Sequence, residues 1–211
     1  MIRLDIFSDP ICPWCFIGKS NLDRALEADA SHPFTVEWHP FQLNPDMRAE
    51  GVNRLEYLAA RFGGMERAEA MSRQVEETAA GYGVVIDFSK VERVPNTLDA
   101  HRLIHWAGLE GAQTPMVNAV LRAYWRESRD IGDQGVLADL AGEVGLDRAA
   151  MARLLASEAD RDTITARDSH ARERGISAVP TFVIADQYVV SGAQPPEMWR
   201  NVMAELKAQL P

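Results

Sequence analysis

The chain has 211 residues, 46% apolar and 25% charged, an ordinary globular composition long enough for one large domain or one domain carrying an insertion. Acids outnumber bases 31 to 22, the net charge is −9 and no basic patch is segregated, so no nucleic acid and no anionic membrane is expected as a partner. No apolar run of about 18 residues occurs, and "MIRLDIFSDP" interrupts its apolar stretch at Asp5 and Asp9, too early for a secretory signal, so the expected compartment is cytoplasmic.

Residues 2–7, "IRLDIF", alternate Ile2, Leu4 and Ile6 with Arg3 and Asp5, the period of a strand. A helix is predicted from Pro13, since proline suits the first helical position, where its missing N–H is not needed. Cys15, Gly18, Leu22, Ala25 and Leu26 share one face of it. "FTVEWHPFQL", 34–43, is rich in β-branched and aromatic residues and reads as a second strand, completing a βαβ unit.

From about Asn44 to Glu173 the pattern is helical almost throughout. Leu55/Leu58/Phe62, Met71/Val75/Thr78/Tyr82, Ala100/Leu103/Ile104/Ala107, Val117/Val120/Leu121/Tyr124, Leu137/Leu140/Ala141/Val144 and Met151/Leu154/Leu155 all follow a 3.6 period. Strands return in "TFVIA" and "QYVVSG", 181–192, joined by a short polar Asp186-Gln187 step that signals a hairpin. "PPEMWRNVMAELKAQL" then reads as a final helix with Met198, Val202 and Leu206 on one side. The two ends must meet in one sheet. The domain reading is therefore 1–44 and 174–211 as a discontinuous α/β unit, with 45–173 as a helical insertion.

The chemistry-bearing stretch is "SDPICPWCFIG", which holds both cysteines of the chain, Cys12 and Cys15. In a βαβ unit the loop after the first strand lies at the carboxyl edge of the sheet, where ligands bind. Cys12 therefore falls at a helix N-terminus, where free N–H groups and the positive dipole end favour a thiolate. Cys15 lies one turn further on, on the buried face. An outer attacking thiol and an inner resolving thiol follow, with Asp9 opposing ionisation through its own charge. A permanent disulfide does not suit a reducing compartment. A structural zinc site needs four ligands, and the second pair on offer, His101 and His105 in "HRLIH", lacks the glutamate of the zincin helix. Redox work is the expected use, with no metal and no organic cofactor.

"CPWC" after the first strand, "AVPTFVI" leading a late strand, "PFQLNP", "NTLDAHRLIHWA" (96–107) and "VVSGAQ" (189–194) together resemble the thioredoxin fold in its DsbA-like form, and within it the FrnE-like subgroup. The resemblance covers essentially the whole chain. It implies an α/β thioredoxin-like fold with a large all-helical insertion, and a cis Val179–Pro180 bond facing the CxxC. A cysteine-bearing chain would pair with the Val179 backbone as an added strand. Phe41 and Leu43, at the end of the second strand with Gln42 and Asn44, are expected to be packing residues. Trp14 is expected on a contact surface beside Pro13. Asn96 reads as a helix cap and His101 as a satisfied or partly exposed histidine.

The expected activity is that of a protein-disulfide oxidoreductase exchanging disulfides with protein or small thiol substrates, glutathione being an available co-substrate. Two other functions compete. Kappa-class transferases and hydroxychromene-carboxylate isomerases share the inserted-helix architecture, but carry a serine at the position of Cys12 and do not need Cys15. A binding module or chaperone would use the cleft without turnover. The oligomeric state stays open, a homodimer included.

Overall fold

The computed structural model describes residues 1–209; Leu210, the last residue of the expected final helix, and Pro211 lie outside them. β1 (Ile2–Ser8), α1 (Pro13–Glu27) and β2 (Phe34–Pro40) form the expected βαβ unit. Seven helices follow: α2 (Arg54–Phe62), α3 (Met65–Gly81), α4 (Leu98–Leu109), α5 (Gln113–Trp125), α6 (Gln134–Glu143), α7 (Arg148–Leu155) and α8 (Arg161–Glu173). Two short strands, β3 (Val52–Asn53) and β4 (Arg93–Val94), pair among them, and a 3-10 turn spans Phe88–Lys90. β5 (Thr181–Ile184), β6 (Tyr188–Ser191) and α9 (Pro196–Gln209) close the chain. The fold is α/β, a thioredoxin-like sheet with a helical insertion between its second and third strands.

The sheet order is β2-β1-β5-β6. β1 runs parallel to β2, with Ser8 opposite Pro40, and antiparallel to β5, with Leu4 opposite Ile184. β1 is thus the central strand, and its residues from Leu4 to Ser8 are buried. That explains why its apolar run is interrupted only by Asp5, which takes Arg3 Nε at 2.8 Å and His39 Nε2 at 2.6 Å. α5 and α8 pack on β2, α4 on both of those helices, and α9 on α1. Trp199 of α9 is fully buried edge-on to Phe182, ring centroids 4.7 Å apart.

Four sequence expectations shift. β2 ends at Pro40 rather than residue 43, because the backbone beyond it turns to the active-site loop and α8: Leu43 N–H donates to Asp9 and Gln42 N–H to Asp168. The hairpin turn takes in Ala185, which shares a left-handed φ with Asp186 and so cannot continue β5. In α9, Trp199 and Met203 are the deepest residues, while Met198, Val202 and Leu206 are half-buried. The β3–β4 ribbon, two residues a side, is too short for any periodicity to announce.

Candidate active site

Cys12 is the N-cap of α1, with extended backbone (φ −86°, ψ 115°), and Pro13 occupies the first helical position. The Cys12 carbonyl accepts from Cys15 N–H and Phe16 N–H, and its own N–H closes a turn onto Asp9 O at 3.0 Å. The loop is pinned from three sides. Asp9, with no exposed surface, accepts from Leu43 N–H at 2.7 Å and from Ile11 N–H at 3.4 Å. Trp125 of α5 donates its indole N–H to Pro10 O at 2.9 Å. Gly18, one turn beyond Cys15, lets α1 approach the opposite loop: a β-carbon there would lie 3.1 Å from Pro180 Cγ and 3.3 Å from Ala193 Cα.

That close approach brings α1 against the loop before β5. The Val179–Pro180 bond is cis, and the Cys12 thiol donates to Val179 O at 3.5 Å. Both cysteines are free, and both are buried in an apolar cluster with Phe7, Phe41, Ile176 and Val183. Burial, reinforced by the neighbouring Cys12 sulfur, pushes the Cys15 thiol well above its ordinary range, with hydrogen bonds from the Asp9 backbone N–H and the Ser8 side chain partly offsetting it. An uncharged inner thiol is what that environment favours.

Of the residues singled out from sequence, Cys12, Pro13, Trp14, Asn44 and Val179 line one cleft of about 340 Å³, whereas Pro180 is outside its lining and lies against Gly18. Trp14 is 38% exposed there. Phe41 is packed as expected, under the Arg172 guanidinium at 4.1 Å. Leu43 is not a packing residue: 37% exposed, it lines the cleft, because its backbone is drawn out of the sheet by Asp9. Asn96 is not the N-cap of α4, a position that Thr97 takes; one residue earlier, it accepts from Leu98 N–H at 2.9 Å in a side-chain turn and donates to Met47 O.

His101 differs most from expectation. It is only 4% exposed, its Nε2 has no hydrogen-bond partner, and that atom lies 3.8 Å from Asp9 Oδ1. Nothing in "HRLIH" announces this, since Asp9 is 92 residues away; the signal available was only a buried helical face. His105, one turn on, contacts Arg167 through Nδ1 at 3.1 Å instead. Among the described residues, the one cluster of potential metal ligands is Asp5, Glu37 and His39, where Arg3 and Arg167 already supply positive charge.

A family model described as the DSBA-like thioredoxin domain matches residues 3–204. The chain belongs to that family. Its fold is similar to that of a probable DsbA oxidoreductase from Streptomyces coelicolor, at 30% identity and a TM-score of 0.86, covering 100% of this chain and 92% of that one. It is also similar to the cytosolic disulfide reductase DsbM of Pseudomonas aeruginosa with GSH (22% identity, TM-score 0.70, covering 99% and 100%). A 2-hydroxychromene-2-carboxylate isomerase shares the fold at 18% identity and a TM-score of 0.74, covering 98% and 97%. DsbA-like membership fits the dithiol at the start of α1. No helix among the described residues is long and apolar enough to cross a membrane.

Proposed function

We propose that this DsbA-like protein is a cytoplasmic thiol–disulfide oxidoreductase of the FrnE-like subgroup, with Cys12 and Cys15 as its redox couple. The observation that carries the reading is the Cys12 thiol at the mouth of a cleft, 3.5 Å from Val179 O, with Cys15 one turn deeper. Cys12 is the attacking sulfur because it caps the helix and reaches the cleft. Its thiolate attacks one sulfur of a substrate disulfide, forming the Cys12 mixed disulfide and releasing the other substrate sulfur as a thiolate. Cys15 then gives up its proton and attacks the Cys12 sulfur. The second substrate thiolate leaves, and two electrons have passed from the protein dithiol to the substrate. A thiol of the glutathione class returns the protein to the dithiol, and no metal or organic cofactor enters. Run backwards, the same steps oxidise a substrate dithiol.

The second step needs a base, because burial keeps the Cys15 proton on. We assign that role to Asp9, whose backbone N–H faces the Cys15 sulfur and whose carboxylate has His101 Nε2 at 3.8 Å. His101→Gln is expected to slow release of the mixed disulfide about a hundredfold and to leave its formation unchanged. Stopped-flow kinetics would separate the two steps; equal slowing of both would remove His101 from this role.

The deciding experiment is insulin reduction by dithiothreitol with wild type, Cys12→Ser and Cys15→Ser. Cys12→Ser is expected to abolish turnover, and Cys15→Ser to accumulate mixed disulfides at Cys12 detectable by mass. Full activity of Cys15→Ser on a small substrate with glutathione would instead favour a glutathione-dependent isomerase or transferase. That second reading draws on the apolar cleft beside Cys12. Wild-type behaviour from Cys12→Ser in a holdase assay, with no turnover by any variant, would favour a binding module or chaperone.

A further inference from the structure

The cleft beside Cys12 contains a buried cation that, among the described residues, has no counter-charge within ion-pair distance. Arg54 opens α2 and is 5% exposed. A positive charge at a helix N-terminus meets the wrong end of the dipole, and a buried guanidinium is costly without a carboxylate. Among the described residues, Arg54 has no carboxylate within ion-pair distance. Its guanidinium donates from Nη2 to Ser72 Oγ at 3.0 Å and lies over the Phe88 ring at 4.1 Å. Glu76, the acid nearest in effect, spends Oε1 on Phe88 N–H at 2.8 Å. Burial draws the Arg54 guanidinium below its ordinary value. The remaining N–H groups have no protein partner among the described residues, and Arg54 lines the same cleft as Cys12. Arg61, on the same helix face two turns later, lines it too, and among the described residues it has no ion-pair partner either.

Most of the surface that Arg54 and Cys12 share is apolar, with Leu58, Phe62, Met71, Val75 and Trp14 among the lining; its polar members include Asn44, Tyr57, Ser72 and Ser177 besides the arginines. The volume of about 340 Å³ suits a small molecule rather than a protein surface. Glutathione, with two carboxylates and an ammonium group, would set polar groups against those walls. An occupant with an apolar body, one carboxylate and a sulfur meets the apolar lining, the buried Arg54 and Cys12, and leaves the exposed Arg61 to solvent.

We infer that the cleft binds a small aromatic or aliphatic thiol or disulfide bearing one carboxylate, which pairs with Arg54 while the sulfur lies at Cys12. This deepens the oxidoreductase reading and rests on it for the sulfur. The exchange is the one already balanced: the carboxylate-bearing disulfide takes two electrons and leaves as two thiols.

Binding can be tested apart from redox chemistry with a thioether, which cannot exchange. Calorimetry of the reduced protein with 4-(phenylthio)benzoic acid is expected to give at least about tenfold tighter binding than with 4-(phenylthio)benzamide, which is about 1.4 kcal/mol. Arg54→Lys is expected to keep the preference and Arg54→Met to abolish it. The bound acid is also expected to slow iodoacetamide alkylation of Cys12. Equal affinity of acid and amide for the wild type would overturn the inference whatever the variants do. So would a preference that survives Arg54→Met, or tight acid binding that leaves Cys12 alkylation unchanged. If acid and amide bind alike and reduced, unfolded insulin chain competes with both, the cleft serves polypeptide and the inference fails. Failure of the insulin assay with a retained acid preference would remove the redox reading and leave the carboxylate site.

Discussion

Helices α1 and α2 both flank the cleft, and both show apolar residues at helical spacing, yet the fold treats them oppositely. α1 buries Cys15, Phe16, Ile17, Gly18, Leu22 and Ala25, so that even Lys19 and Asn21 are drawn inside. α2 buries only Arg54; its Leu55 is largely exposed, and Leu58 and Phe62 are half-buried against the cleft. The α2–α3 arm thus keeps its apolar face for an occupant, whereas α1 spends its own on the core. The lesson is that helical periodicity reports an apolar face without saying what covers it. One helix fixes a sulfur; the other shapes the space in front of it.

The contrast can be broken most severely at the loop anchors. Asp9→Ala strands the buried Ile11 N–H and the part-buried Leu43 N–H and is expected to cost about 2–4 kcal/mol. Its counterpart on the arm, Asn53→Ala, loses the cap to Glu56 N–H and is expected to cost about 1 kcal/mol. Urea midpoints measure both, and equal losses would erase the distinction between anchored loop and lightly held arm. Next come two glycines. Gly18→Ala drives a methyl into Pro180 and Ala193 and is expected to destabilise by about 1–3 kcal/mol. Gly81→Ala on α3 meets nothing within 4 Å and is expected to stabilise by up to about 1 kcal/mol. The same sign for both would sink the contrast.

The smallest effect is a pH dependence confined to the packed side. Cys15 is held well above its ordinary value of 9.0, and buried Tyr124 is likewise raised from 10.0. Each raised value means the folded state binds the proton more tightly. The stability each contributes is complete below the unfolded value and declines as pH climbs past it, by at most about 1.4 kcal/mol per pH unit per group. Cys15→Ala is therefore expected to remove the decline in the urea midpoint that begins near pH 9, leaving the later one from Tyr124. A wild-type midpoint that is flat from pH 8 to 10 would contradict the burial of that thiol.

Much of the fold was legible because its signals are local. The alternation of Ile2, Leu4 and Ile6, the proline after Cys12 and the spacing of the two cysteines each speak through near neighbours. The parts that were not legible depend on distant partners. Leu43 is exposed because Asp9 holds its backbone; His101 is buried, its Nε2 unbonded among the described residues, because α4 brings it to within 3.8 Å of Asp9. Nothing in the sequence sets Arg54 apart from the other arginines. Only the arrangement of α2, Ser72 and Phe88 makes it a buried cation.

The register of β1 against β5 has a consequence during synthesis. Leu4 pairs with Ile184, so the central strand of the sheet waits for its second neighbour until 180 further residues have been synthesised. At cellular translation speeds that interval is about ten to thirty seconds. Throughout it Cys12 is available to any low-molecular-weight thiol or disulfide in the surroundings, without the shelter Val179 gives it once the last strands arrive.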